Sequence, residues 1–466
     1  MLKETVEGEK LDAVSSDGVC KNSSESSLQG KNNDQMQSRK SISTQHFEEN
    51  FQNSGFTATL RSLPKGIFAV SLFGFFLGMS TTMVYSQLSL FLANELHATV
   101  TKVAFIDGIV EFLSFLTRVF SGYISDLLRE RKLILLLGCM ITLVARPLMS
   151  MAHSAMIILG IQSLERVGNG LQATPRDALI ADLSPKNMRA RAFGFTRSLK
   201  TFGALIGTPI AIAIMAISSN NFRLVFLLAV VPVIFAIICL VSIKDSRKND
   251  QQNPNQETKQ KRENPFKHKY LKSLDWAFWK VLVLAIIFEM GHFTEHLLPL
   301  YMNKFAATKI SSTTSLFISL GQVILAFPVG YLADKYGRGL FIKFCICLMI
   351  MANLLFLSAG FVDGGQMLLI IAGSFLWGGQ MTAIQGLFLS LISEQVHFNL
   401  RATAMGVYYC AIGIAYFVAS CVGGQIWDSF GCSYIFVYSI CFSCFALCAC
   451  RFCLPKRMCE RVTAQS

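Results

Sequence analysis

The stretch Phe288-Glu289-Met-Gly-His292-Phe-Thr-Glu295-His296 sets two carboxyl groups and two imidazoles inside a long apolar segment. Read as one continuous helix at about 100° per residue, it puts Glu289, His292 and His296 on one face within roughly 60°, with Glu295 turned away. Ionisable groups inside an apolar span are costly to keep there, so they mark function. A carboxyl group beside imidazoles can load and release a proton as its surroundings hydrate. His292-x-x-Glu295-His296 also has the spacing of an inverted zinc-protease motif. No third ligand accompanies it, and neither a metal nor another cofactor is expected. A second ionisable set lies earlier, with Glu111 and Arg118 in one apolar stretch and Arg166 in another, next to Glu165. Arg166 either tunes the proton affinity of a carboxyl group or forms a structural ion pair with Glu111 or Glu165. Trp377, Gln380 and Gln385, in a later apolar stretch, offer stacking and neutral hydrogen bonds to a ligand.

These residues need a scaffold, and composition says which. Hydrophobic residues make up 52% of the 466, charged residues only 15%, there are 38 Phe, and mean hydropathy is +0.47. A soluble chain of this length needs more charge to cover its surface, so an integral membrane protein is expected. The net charge of +13 reflects Lys and Arg gathered in loops, and no aromatic-basic module for nucleic acid accompanies it. Of the 14 Cys, Cys441, Cys444, Cys448, Cys450 and Cys453 crowd the last apolar stretch. Small polarizable side chains in a membrane helix account for them, since no second Cys pair follows to complete a metal site. No Gly-rich phosphate loop with its Lys occurs, so direct ATP drive is not expected.

Along the chain, residues 1–63 are polar and poor in aliphatics, which predicts a disordered tail rather than a signal peptide. Six apolar stretches follow, at about 66–94, 100–126, 133–151, 154–173, 192–218 and 222–243. A basic linker over 244–274 separates them from six more, at about 276–302, 310–333, 340–361, 366–393, 399–425 and 431–453. Each exceeds or approaches the ~20 residues that a crossing needs. The expectation is an all-α polytopic protein of twelve transmembrane helices, with halves at 64–243 and 275–453 and a short tail at 454–466. Loops after the even-numbered stretches carry Arg129, Arg131, Lys132, Arg176, Lys186, Arg189, Lys335, Arg338 and Arg401. The opposite set offers only Lys102, Arg223, Lys304 and Lys309. That asymmetry places both termini in the cytoplasm of a cell (inner or plasma) membrane.

The chain also repeats itself. Gly122-Tyr-Ile-Ser-Asp126-Leu-Leu-Arg129 recurs about 210 residues later as Gly330-Tyr-Leu-Ala-Asp334-Lys335-Tyr-Gly337-Arg338. Arg189-Ala-Arg-Ala-Phe-Gly194 recurs at nearly the same offset as Arg401-Ala-Thr-Ala-Met-Gly406. These pairs resemble the signature loops of the major facilitator superfamily of secondary transporters. The resemblance implies that Gly122, Asp126 and Arg129, with Gly330, Asp334 and Arg338, latch two halves together on the cytoplasmic side. Arg129 departs from the pattern, standing where Gly337 stands in the second copy. Arg166-Val-Gly-Asn169-Gly170-Leu-Gln-Ala173 is similar to the family's fourth-helix motif, with Asn for Gln. Thr174-Pro-Arg-Asp-Ala-Leu-Ile-Ala-Asp182 looks like a bacterial permease branch, in which an acidic residue commonly stands where Lys200 stands here. Gly203, Gly207 and Pro209 resemble the fifth-helix motif of antiporters.

Family members line their cavity with spans one, four, seven and ten. That implies substrate contacts at Thr81, Tyr85, Gln162, Trp377, Gln380 and Gln385, while the ionisable residues inside the spans, Glu289, His292, His296, Glu111, Arg118 and Arg166, are the candidates for proton coupling. The function so implied is secondary transport of a small solute by a monomer in the bilayer, driven by protons. Alternatives are proton-antiport drug efflux, a non-transporting solute sensor on the same scaffold, and an intramembrane zinc hydrolase.

Overall fold

A computed structural model describes residues 64–454 apart from 129–130, 185–188, 244–273, 307, 363 and 397–400. The tail before residue 64, the linker, the last residues and Arg129 therefore lie outside the described residues, as do the side chains of Gly122, Asp126, Gly330 and Asp334. Among the described residues every regular element is a helix. They are α1 (Lys65–Asn94), α2 (Val100–Leu128), α3 (Arg131–Ser150), α4 (Ala155–Leu183), α5 (Arg189–Ile217), α6 (Phe222–Leu228) and α7 (Val230–Val241). After the linker come α8 (Trp276–Met290), α9 (Leu297–Met302), α10 (Thr308–Ser311), α11 (Thr313–Tyr336), α12 (Arg338–Ala359), α13 (Gln366–Gln395), α14 (Arg401–Phe430) and α15 (Cys432–Cys453).

Helix is the form these sequences must take in hydrocarbon, because each backbone amide finds its partner within the segment. Long helices follow each other with almost no loop. Gly337 at φ 102° and Gly431 at φ 106° reverse the chain in one residue between α11 and α12 and between α14 and α15, a conformation that a Cβ disfavours. Among the described residues, eight helical stretches are long and apolar enough to cross a membrane. They comprise α1, α12 and α15 whole, most of α3, α5, α13 and α14, and α6–α7 taken together. Charged residues keep α2 and α4 out of that set, and α8–α9 is interrupted. Among the described residues, α11 contributes a shorter apolar stretch, Thr313–Leu325. Cys441, Cys444 and Cys448 lie exposed on the flank of α15.

One packing scheme occurs twice. In the first set α1 packs on α5 and α7, α2 on α4, and α3 on α4 and α7. In the second, α8 packs on α14 and α15, α11 on α13, and α12 on α13 and α15. The sets meet through α2 against α14 and α5 against α11. Glycines make the tightest approaches, as small residues do in membrane helices. A Cβ at Gly203 would strike the Phe75 carbonyl of α1, and one at Gly378 the Ile318 carbonyl of α11. At the α2–α14 seam, Gly108 lies under Phe417 and Ser420, and Gly424 under Thr101 and Ala104. The Thr101 amide donates to Asp428 Oδ2 at 2.8 Å, so α14 caps the start of α2 across that seam.

Candidate functional site

The seventh apolar stretch is not the continuous helix its composition predicts. Helix α8 stops at Met290, residues 291–296 run without helix, and α9 resumes at Leu297. A break inside a membrane is tolerated only where other groups take the freed backbone atoms. Here α15 supplies them, with Tyr438 Oη donating to the Met290 carbonyl at 2.6 Å and Ser439 Oγ to the Gly291 carbonyl at 2.7 Å. Gly291 sits beneath Phe442 Cβ, leaving no room for a side chain. Thr294 Oγ1 accepts from the His296 amide at 3.2 Å and so closes the turn into α9. The shared face of Glu289, His292 and His296 is therefore lost: the three follow one another through a break and take different neighbours. Glu295, expected to turn away, is drawn into the same buried region, within electrostatic reach of His296, Asp107, Glu111 and Arg166.

Asp107 of α2 is the node where the two helix sets meet. Its Oδ2 accepts from Thr294 Oγ1 and, at 3.0 Å, from Tyr416 Oη of α14. Its Oδ1 lies 3.3 Å from His296 Nε2. Three side chains of the second set thus converge on one buried carboxylate of the first. A small cavity adjoins it, lined by Leu88, Ser89, Leu92, Val103, Ile106, Asp107, Gln162 and His296. Farther along the same seam, Ser312 Oγ donates to Gln87 Oε1 of α1 at 2.8 Å.

From His296 the contacts run into the first set. Its ring stacks on Tyr85 with centroids 5.8 Å apart, and the Arg166 guanidinium stands 4.4 Å over the other partner of that stack, the Tyr85 ring. Arg166 Nη1 pairs with Glu111 Oε2 at 3.2 Å. Of the two ion pairs foreseen for Arg166, this is the one formed. Glu165 belongs instead to Arg146 of α3, at 2.8 and 3.0 Å, with both side chains fully buried. Arg146 Nε also donates to Ser80 Oγ at 3.2 Å, which in turn donates to the Ala229 carbonyl between α6 and α7. Arg118 lies over the Phe115 ring at 5.5 Å, deeper along α2.

On the other side His292 stacks on Trp377 at 4.7 Å and 30°. Both its ring nitrogens, the Trp377 indole nitrogen and both amide atoms of Gln380 are buried without a hydrogen-bond partner. So are Tyr85 Oη, Gln162 Nε2 and Arg166 Nε. An unmet buried polar group costs about 1–3 kcal/mol, and ordinary interiors hold few of them, so their concentration here is the strongest sign of a polar solute or water path. Glu289 is buried, within electrostatic reach of Glu111 and of Tyr408 on α14. Gln385 is half-buried farther down α13, and Thr81 turns its hydroxyl back to the Leu77 carbonyl at 2.8 Å. Arg338 donates to the Ser390 carbonyl at 3.3 Å, tying α12 to α13. His292 and His296 point to different partners, and no group of three His, Cys, Asp or Glu among the described residues can hold a metal.

Asp107, Thr294 and Tyr416 were not among the expected site residues. Asp107 carried a signal nonetheless, as a carboxylate inside a span one turn from Glu111. Nothing in the order of residues marks Thr294 or Tyr416, because their role depends on where the break aims them.

Comparison with known proteins fits this architecture. The family model described as Major Facilitator Superfamily matches residues 70–420 and 304–457. An uncharacterized MFS-type transporter of Methanocaldococcus jannaschii is 24% identical over 399 residues, spanning 83% of this chain and 93% of the relative. An uncharacterized transporter of Buchnera aphidicola is 31% identical over 126 residues, 27% of this chain and 30% of the relative. Among solved structures, the nucleoside transporter NupG matches with TM-score 0.64 at 11% identity, over 84% of this chain and 98% of its own. A D-xylose-proton symporter matches with TM-score 0.66 at 13% identity, over 84% and 97%. At these identities the likeness is one of fold.

Proposed function

The chain belongs to the major facilitator superfamily, and from that premise we propose that it moves a small solute across the membrane by alternating access, coupled to protons. The family and its solved neighbours support a transporter, not an enzyme. In our reading it crosses the membrane twelve times: the eight apolar stretches, α2 and α4 with their charged residues, the interrupted α8–α9, and α11. Two six-span halves, 64–243 and 275–453, rock about the polar centre. The Lys and Arg of the loops put both termini and the linker in the cytoplasm of a cell membrane. The motif residues around Asp126 and Asp334 act as the latch on that side. The Thr174–Asp182 segment is read as that of the permease branch, and the protein works as a monomer.

The observation that carries this reading is the Asp107 node. A buried carboxylate of one half, held by two hydroxyls and faced by an imidazole of the other, is a contact that a rocking motion must break. It is also one that removal of the Asp107 charge would weaken. Around it lie residues assigned to coupling, Glu289, His292, His296, Glu111 and Arg166, with Arg118, also assigned to coupling, about 16 Å farther along α2. The polar groups of Tyr85, Gln162, Trp377 and Gln380 offer the solute its hydrogen bonds, with Gln385 and Thr81 at the margins. A discontinuous helix at the centre of a repeated fold is how many transporters expose backbone and side chains to cargo. The antiporter-like Gly203 and Gly207 are accounted for by packing on α1, so efflux has no separate support.

The test is a thermal-shift screen of the purified protein against metabolite and drug libraries, followed by counterflow of each hit in proteoliposomes. Counterflow supports transport. Binding without counterflow favours a sensor and overturns the proposal.

A further inference from the structure

Beyond the Asp107 node, the seam between α2 and α14 runs on to the start of one helix and the end of the other. Thr101, Ala104 and Gly108 follow one another at helical spacing on α2, and Phe417, Ser420, Gly424 and Asp428 do so on α14. Phe417 and Ser420 lie over Gly108, and the Phe417 ring meets that of Phe105 at 5.8 Å. Gly424 lies against Thr101 and Ala104, so closely that a Cβ there would stand 2.8 Å from the Ala104 Cβ. These rungs close by shape. The last one closes by charge, with the Thr101 amide donating to Asp428 Oδ2 at 2.8 Å.

Thr101 is the second residue of α2, and its amide is one of those that a helix leaves without an internal partner. The local cap, Thr99, turns its hydroxyl to the next amide, that of Lys102, at a long 3.4 Å. The shorter cap therefore comes from the other half, and a carboxylate at a helix start also suits the dipole. Loss of such a cap moves an equilibrium by about five- to thirtyfold. That is enough to set which state prevails, and little enough to be overcome in each cycle. Both partners lie at the exposed end of the seam, so water takes over amide and carboxylate when they part, and no charge is stranded. The same end of α14 is tied to the broken segment. Lys304, just after α9, stands 5.2 Å over the Trp427 ring, and Tyr301 of α9 meets that ring edge-on at 6.2 Å. A swing of that end therefore bears on the segment that follows His296.

We propose that Asp428 is the gate residue of the transport cycle on the side opposite the latch motif. It caps α2 from the other half while that side is closed and releases it when that side opens. This rests on the transporter reading and adds to it the contact that times one of its two openings. The latch assigned to Asp126 lies near the other end of the same helix, so α2 carries one fastening for each state of the cycle.

The experiment uses the purified full chain in nanodiscs, with a Ser420→Cys reporter in a cysteine-depleted background. Ser420 is fully buried and packed against Gly108, so an impermeant maleimide reaches it only when the seam opens. Asp428→Ala should raise the alkylation rate about fivefold or more. Asp428→Asn, which keeps an acceptor for the amide, should raise it less. Thr99→Ala removes a cap within one half and should leave the rate within about twofold of the parent. Equal rates in the parent and Asp428→Ala overturn the proposal. So does a rise in Thr99→Ala as large as that in Asp428→Ala, which would reduce Asp428 to a stabiliser of the helix start. A reporter that never reacts in the parent overturns it as well. Counterflow of a screened solute separates this from the transporter reading. Counterflow with unchanged alkylation in Asp428→Ala removes only the gate, whereas raised alkylation in a chain without counterflow removes transport and the gate with it.

Discussion

Replacing Asp107 with Asn keeps the shape of the node and removes its charge. The carboxylate now accepts from Thr294 Oγ1 and Tyr416 Oη and faces His296 Nε2 at 3.3 Å. Hydrogen bonds to a charged group are worth about 1.5–3 kcal/mol each, against about 1 kcal/mol for neutral ones. Asparagine keeps one acceptor oxygen, replaces the other with an NH2 and carries no charge. Allowing for non-additivity, the closed seam should lose about 2–4 kcal/mol, which raises the open population roughly thirty- to several-hundredfold. Ser89 lines the cavity beside Asp107 and is almost fully buried. A Ser89→Cys reporter in a cysteine-depleted background therefore reacts with an impermeant maleimide only when the seam opens. Asp107→Asn should raise that alkylation rate at least thirtyfold (the lower bound of the same ~2 kcal/mol estimate). Thr294→Val and Tyr416→Phe, each removing one donor, should raise it less. An unchanged rate in the Asn variant would refute the claim that this carboxylate holds the halves together.

Arg146→Met leaves Glu165 buried without its partner and should lower stability by about 3–5 kcal/mol. Thermal unfolding in detergent checks it, and the double variant with Glu165→Met should recover most of the loss. Gly378→Ala drives a methyl into the Ile318 carbonyl, so α11 and α13 must part at a cost of about 1–3 kcal/mol, again read as a lower unfolding midpoint. Glu289→Gln, which removes a titrating group while keeping its shape, should abolish accumulation of the screened solute along a pH gradient yet leave its exchange across proteoliposomes. Persistent accumulation would move the coupling site to Glu111 and Arg166.

The positions of most helices were legible in the sequence because an apolar run of about 20 residues needs no partner to declare itself. The interruption after Met290 was not, since it depends on Tyr438 and Ser439, nearly 150 residues away, to take the freed carbonyls. A lone Gly inside an apolar run is equally compatible with an unbroken helix. The Arg166 pair was more legible than it was made. Adjacent residues on a helix diverge by about 100°, which disfavours Glu165 as its partner and favours Glu111. The same periodicity aligns Asp107, Glu111 and Arg118 within about 40° on α2. A stripe of charge could thus be read from the sequence; the residues that answer it, from the break before α9, from α4 and from α14, could not. This also explains why α2 and α4 fall outside the apolar set. Their charges are unfavourable toward lipid and are answered within the bundle, Glu165 by Arg146, Arg166 by Glu111, and Asp107 by groups of the second set. A helix of this kind is more stable in the membrane while its neighbours exclude lipid from that face, so the residues that make it a poor solitary span also favour keeping it packed within the bundle.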